Sequence, residues 1–91
     1  MTVRAKLLIK GHVQGIGYRW FVMEAAQRMG LSGWVRNLPS GEVEAEAQGD
    51  AKALAGFVRE LKQGHPYARV GDIVETKLPA RPEERSFDIV H

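Results

Sequence analysis

The stretch Gly11-His12-Val13-Gln14-Gly15-Ile16-Gly17-Tyr18-Arg19-Trp20 places three glycines within seven residues and follows them with an arginine. Glycine lets a backbone turn its amides inward and lets an anion approach without meeting a Cβ. A helix N-terminus adds unpaired N–H groups and the positive end of a dipole. Arginine adds a planar fork of donors suited to phosphate. The stretch therefore fits an anion cradle at the start of a helix. It equally fits a tight strand-to-helix loop that needs positive φ angles. It is not a Walker A loop, because no Gly-Lys-Ser/Thr follows, and Trp20 stands where a dinucleotide fingerprint needs its third glycine.

The flanking elements decide where this loop points. In Val3–Lys10, Val3, Ala5, Leu7 and Ile9 alternate with Arg4, Lys6, Leu8 and Lys10, the pattern of a half-exposed strand. Val22, Ala25, Ala26 and Met29 follow helical spacing, with Gly30 as the stop. Trp34–Leu38 and Val43–Ala47 read as a hairpin around Pro39-Ser40-Gly41, its return strand alternating Val43, Ala45 and Ala47 with Glu42, Glu44 and Glu46. Asp50 is placed to cap a second helix carrying Leu54, Phe57, Val58 and Leu61, ended by Gly64. A fourth strand lies within residues 65–78, a loop with two prolines follows, and Ser86–Val90 is a short last strand.

The order β-α-β-β-α-β with an extra strand predicts an α+β, ferredoxin-like split β-α-β fold. Right-handed crossovers place both helices on one face of an antiparallel sheet ordered 4-1-3-2, with a short extra edge strand. The first two strands are then parallel and two strand spacings apart, about 9.6 Å. Their C-terminal ends share one sheet edge, which brings the glycine loop towards Asn37. Opposite charges on the first and third strands are expected to pair on the face away from the helices, giving at least two contacts among Arg4, Lys6, Lys10 and the three glutamates.

Composition limits the alternatives. The 91 residues suit one domain, residues 1–91. Charges inside the first apolar stretch argue against a signal peptide, and no apolar run approaches a membrane span. With no cysteine, disulfides and thiolate chemistry are excluded and a cytoplasmic location is expected. A net charge of +2 makes no demand for nucleic acid.

The residues Gly11 to Arg19 resemble the first signature of the acylphosphatases. Gly33-Trp34-Val35-Arg36-Asn37, continuing to Gly41, Val43 and Gly49, is similar to their second, and the likeness extends to Gly64-His65-Pro66-Tyr67-Ala68-Arg69-Val70. The resemblance implies acyl-phosphate hydrolysis with no cofactor and no metal. It implies that Arg19 and the backbone amides of Gln14, Gly15, Ile16, Gly17, Tyr18 and Arg19 bind the phosphate, and that Asn37 orients the attacking water. It also implies a monomer acting on a small acyl phosphate, with phosphate or sulfate able to occupy the site. His65 and His91 depart from residues frequent in the family at those positions.

The residues absent from the chain agree with that chemistry. No Ser-His-Asp arrangement can be placed, the three histidines are scattered, and Glu42, Glu44 and Glu46 read as a solvated strand face rather than metal ligands. An arginine, amides and a carboxamide can stabilise a transferring phosphoryl group and hold water in line. That suffices for an acyl phosphate, whose carboxylate leaves without protonation, and is a poor set for an alkyl phosphate ester. The strand faces rule against an RNA-binding module, since neither exposed row carries an aromatic for base stacking. A non-catalytic anion- or acyl-phosphate-binding domain is the alternative; such a domain has no use for Asn37. Of the remaining side chains, Trp20 and Phe21 are read as core or loop support and Trp34 as core edge. Tyr18 is read as fixing loop shape, Arg36 as a surface charge, and His12 as outside the chemistry.

Overall fold

The computed structural model describes residues 1–91. The elements are β1 (Thr2–His12), α1 (Tyr18–Arg28), β2 (Ser32–Asn37), β3 (Val43–Asp50), α2 (Ala51–Gln63), β4 (Arg69–Leu78) and β5 (Phe87–Ile89). The sheet order is β4-β1-β3-β2-β5, so the expected 4-1-3-2 arrangement carries one further strand beside β2. That edge strand corrects one expectation: β5 runs parallel to β2, and the sheet is mixed. The cause is the path of the chain. Leu78, near the end of β4, lies opposite Arg4, and Phe87 lies opposite Gly33 at the start of β2. The connection therefore crosses at the end of the sheet where β1 and β2 begin, and β5 can only run the way β2 runs.

The alternation of the strands sets the core. Ala5, Leu7 and Ile9 of β1, Val35 of β2, and Val43, Ala45 and Ala47 of β3 are buried against Val22, Ala25 and Ala26 of α1 and Leu54, Phe57 and Leu61 of α2. Asp50 caps α2 by accepting the Lys52 N–H at 3.1 Å. α1 has no such side-chain cap.

The opposite face is not the open surface that alternation suggests. Arg4, Glu44 and Gln48 are buried there. The proline-containing connection folds over this face: Arg4 Nη1 donates to Glu84 at 2.7 Å, and Gln48 exchanges bonds with the Arg81 backbone at 2.7 Å in each direction. Two ion pairs join β1 to β3, Arg4–Glu46 at 2.9 Å and Lys6–Glu44 at 3.1 Å. They meet the expected number but run diagonally, because Lys6 stands directly opposite Glu46 and Leu8 opposite Glu44. Arg36 of β2 also reaches Glu44, at 2.7 Å, so it belongs to a charge network rather than being a lone surface charge. Trp34 faces the same side, with the Arg36 guanidinium 5.4 Å from its ring, and is not at the core edge. Each opposite charge holds the register in which Val43, Ala45 and Ala47 face the helices.

Glu44 makes this network sensitive to acid. Burial alone would raise its carboxyl pKa, but hydrogen bonds and charge from Arg36 and Lys6 outweigh burial and hold it below the ordinary 4.5. A depressed carboxyl contributes stability above its unfolded pKa and loses it as pH falls through the folded one. The stability gap between the native chain and Glu44→Gln should therefore be widest near neutral pH and shrink as pH falls below about 4.5. Urea denaturation at pH 7 and pH 3 measures it; an equal gap at both would contradict the role given to the carboxylate.

Candidate active site

The glycine loop is held in shape at three points. Backbone approach sets the first: a Cβ on Gly11 would lie 2.0 Å from the Arg69 carbonyl oxygen of β4, at the register shift between Lys10 and Gly11. Val13, just beyond β1, is buried in the core. Then Gly17, in the left-handed region at φ 76°, turns the chain into α1. Tyr18 follows it, fully buried, its hydroxyl donating to the Leu61 carbonyl at 2.8 Å. Burial pushes the phenol above its ordinary value, so it stays protonated and holds the helix start against α2. Tyr18 is thus a shape-fixing residue, as its sequence position suggests.

This turn leaves donors free. The amides of Gln14, Gly15, Ile16, Gly17, Tyr18 and Arg19 have no acceptor within the protein, and α1 has no side-chain cap. Their free N–H groups and the helix dipole make the loop electropositive. Arg19 is half-buried at the same place and makes no ion pair. Asn37 lies at the end of β2, on the strand face of buried Val35, as the alternation requires. Its Oδ1 is buried and unpaired, the one side-chain polar atom in the protein of which this is true. Most buried polar atoms are paired, and leaving one bare costs about 1–3 kcal/mol.

Gln14, Gly15, Gly17, Tyr18, Arg19 and Asn37 line one pocket of about 270 Å³. The loop and the strand end expected to meet do meet. A larger groove of about 400 Å³, lined by Thr2, Leu54 and Leu78 among others, lies at the opposite end of β1, and the arginine in it, Arg4, is already paired with Glu46 and Glu84. No cluster of three His, Cys, Asp or Glu side chains suited to a metal occurs. His12 is exposed at the end of β1 and does not line the pocket.

Three features of the site escape the sequence reading. Gln14 contributes its side chain as well as its amide: Nε2 donates to the carbonyls of Leu38 at 2.8 Å and Glu42 at 2.9 Å. It thereby ties the loop to the hairpin that begins at Asn37. Ile89 and His91 also line the pocket, brought there by the parallel pairing of β5 with β2. Trp20 is a correction: it is 61% exposed at the pocket's edge rather than packed. α1 buries Tyr18, Val22, Ala25 and Ala26, and a residue two places after Tyr18 points to the other side of the helix. Phe21 does pack, edge-on to His65 at 5.2 Å.

The acylphosphatase family model matches residues 5–89. The chain belongs to the acylphosphatase family. An acylphosphatase of Clostridium beijerinckii is 39% identical over 96% of this chain and 97% of its own length. The crystal structure of acylphosphatase from Bacillus subtilis superposes with a TM-score of 0.93 at 37% identity, over the whole of both chains. An acylphosphatase structure from Coxiella burnetii superposes with a TM-score of 0.92 at 27% identity, over 98% of this chain and 93% of that one. The acylphosphatase fold thus accounts for both helices and the sheet on which they pack.

The tether through Gln14 is testable without substrate. Gln14→Ala should cost about 1 kcal/mol of stability, since each hairpin carbonyl loses one donor and keeps the backbone N–H of Leu38 or Gly41. Hydrogen exchange across Leu38–Glu42 should quicken. Unchanged exchange there would mean that Gln14 does not secure the loop to the hairpin.

Proposed function

We propose that the protein hydrolyses acyl phosphates to a carboxylate and inorganic phosphate, by attack of water at phosphorus. The observation that carries this reading is the convergence of the Asn37 carboxamide with free loop amides and an unpaired Arg19 in one pocket. A carboxamide oxygen accepts a hydrogen bond, so it suits a water molecule and repels a phosphate oxygen. The amides and Arg19 are donors only, and suit the phosphate. The two chemistries sit side by side in one pocket, as a hydrolytic site for a phosphoryl group requires and a plain anion-binding domain does not.

The step follows from these roles. Arg19 and the amides of Gln14 to Arg19 hold the non-bridging phosphoryl oxygens. Water is oriented by the Asn37 carboxamide and directs a lone pair at phosphorus. The new bond forms between water oxygen and phosphorus as the bond from phosphorus to the acyl oxygen breaks. The electron pair leaves with the carboxylate, a weak base that needs no acid. A phosphoryl oxygen takes the proton from the water. In a loose phosphoryl transition state, positioning and charge stabilisation carry the catalysis, and neither a general base nor a covalent intermediate is needed. Family membership supports the substrate class.

We take residues 1–91 as a single domain acting as a monomer; the acylphosphatase model spans residues 5–89 as one unit. The absence of cysteine suits a cytoplasmic setting, and no helix is long and apolar enough to cross a membrane.

Two variants separate the roles. Asn37→Ala should lower kcat by about 10²-fold or more with little change in competitive inhibition by inorganic phosphate. Arg19→Ala should weaken phosphate inhibition, raise KM and lower kcat, because it holds phosphate in ground and transition states alike. Normal turnover with lost phosphate affinity in Asn37→Ala would reverse the assignment. Hydrolysis of acetyl phosphate should be unaffected by a chelator; activity abolished by chelator and restored by a divalent ion would overturn the mechanism.

A further inference from the structure

We propose that Trp20 is the platform for the acyl group, biasing the enzyme towards acyl phosphates whose acyl part is flat or broadly apolar. This rests on the hydrolytic reading of the site given above. In a phosphoryl transfer the attacking and leaving oxygens lie roughly in line through phosphorus. With the water at Asn37, the acyl oxygen departs on the side away from the end of β2. The exposed residues of the pocket rim are Gly15, Gly17, Trp20 and His91, and the two glycines offer no side chain. Of the other two, His91 belongs to the water's side. Val35 pairs with Ile89 and its carbonyl accepts the Val90 N–H at 2.9 Å, so the chain runs alongside β2 towards Asn37 as it reaches His91. Trp20 stands instead on the first turn of α1, next to Arg19. It is the one large apolar side chain exposed at the rim, beside the phosphate-binding Arg19.

Nothing in the fold accounts for its position. Trp20 is 61% exposed, whereas α1 buries Val22, Ala25 and Ala26 fully. No other ring stacks on it, no cation lies over it, and its indole N–H donates to no protein acceptor. A bare indole face beside a phosphate cradle gives an apolar acyl group a surface on which to leave water. A small acyl group such as acetyl covers little of it.

The test is the ratio of kcat/KM for benzoyl phosphate to that for acetyl phosphate, in the native enzyme, Trp20→Ala and Trp20→Phe. Using a ratio removes changes common to both substrates. The ratio should fall roughly three- to tenfold in Trp20→Ala, the size expected of one aromatic contact, and most of it should return in Trp20→Phe. Hydrolysis of both substrates with an unchanged ratio in Trp20→Ala would overturn the platform and leave the hydrolytic site intact. Failure of the native enzyme to hydrolyse either substrate would overturn the hydrolytic reading, and the platform with it.

Discussion

The register of β1 against β3 is the constraint on which the rest of the molecule depends. Side chains alternate along a strand, so one face of β3 delivers Val43, Ala45 and Ala47 to the helices and the other delivers Glu44 and Glu46 to Arg4 and Lys6. A slip by one residue would bury the glutamates in the apolar core and leave buried Arg4 facing alanine. Burying an unpaired charge costs several kcal/mol, so the paired arrangement excludes its neighbours strongly even though each pair contributes little on its own. With the pairing of β2 on β3, the same register sets how the ends of β1 and β2 line up along the sheet. It thereby sets the distance from the glycine loop to Asn37, and a network on the far face of the sheet fixes the geometry of the site.

The candidate site leaves polar groups unpaired in a molecule that otherwise pairs them. The loop could have capped α1 with a serine or aspartate, as Asp50 caps α2. Gly17 stands at that position instead, and the amides remain free for a ligand. Asn37 Oδ1 is left bare in the same way. This polarity is destabilising without a bound anion, and the surroundings offset it. Tyr18 is anchored to Leu61, Val13 is sunk in the core, and Gln14 bridges to Leu38 and Glu42. On the proposed reading, rigid supports around unpaired donors let electrostatic stabilisation act on the phosphoryl group without reorganisation.

Much of this was legible in the sequence because it follows from local periodicity. The alternation in Val3–Lys10 and in Val43–Ala47 sets the faces of β1 and β3, and Gly30, Asp50 and Gly64 mark helix ends. Placing Asn37 opposite the loop needed only the parity of β2 and the handedness of the crossovers. What escaped the sequence depends on contacts between distant segments. The direction of β5 is set by where a loop of irregular backbone crosses the sheet, and with it went the position of His91. Arg4 and Glu44 alternate like surface residues; Arg4 is buried because that same loop lies over it, and Glu44 because Lys6 and Arg36 close on it. Trp20 was misplaced because its hydrophobicity suggested burial, whereas the phase of α1 turns it outwards. The bridging role of the Gln14 side chain has no sequence signal, since a glutamine in a loop looks the same whether or not it meets two carbonyls.

The central claim is that water held by Asn37 attacks phosphorus, and the fate of an oxygen isotope tests it most directly. Hydrolysis of benzoyl phosphate in water enriched in oxygen-18 should place the label in inorganic phosphate and leave the benzoate unlabelled. Label recovered in the benzoate would mean that water attacks the acyl carbon, and the roles given to Asn37, Arg19 and the loop amides would be wrong.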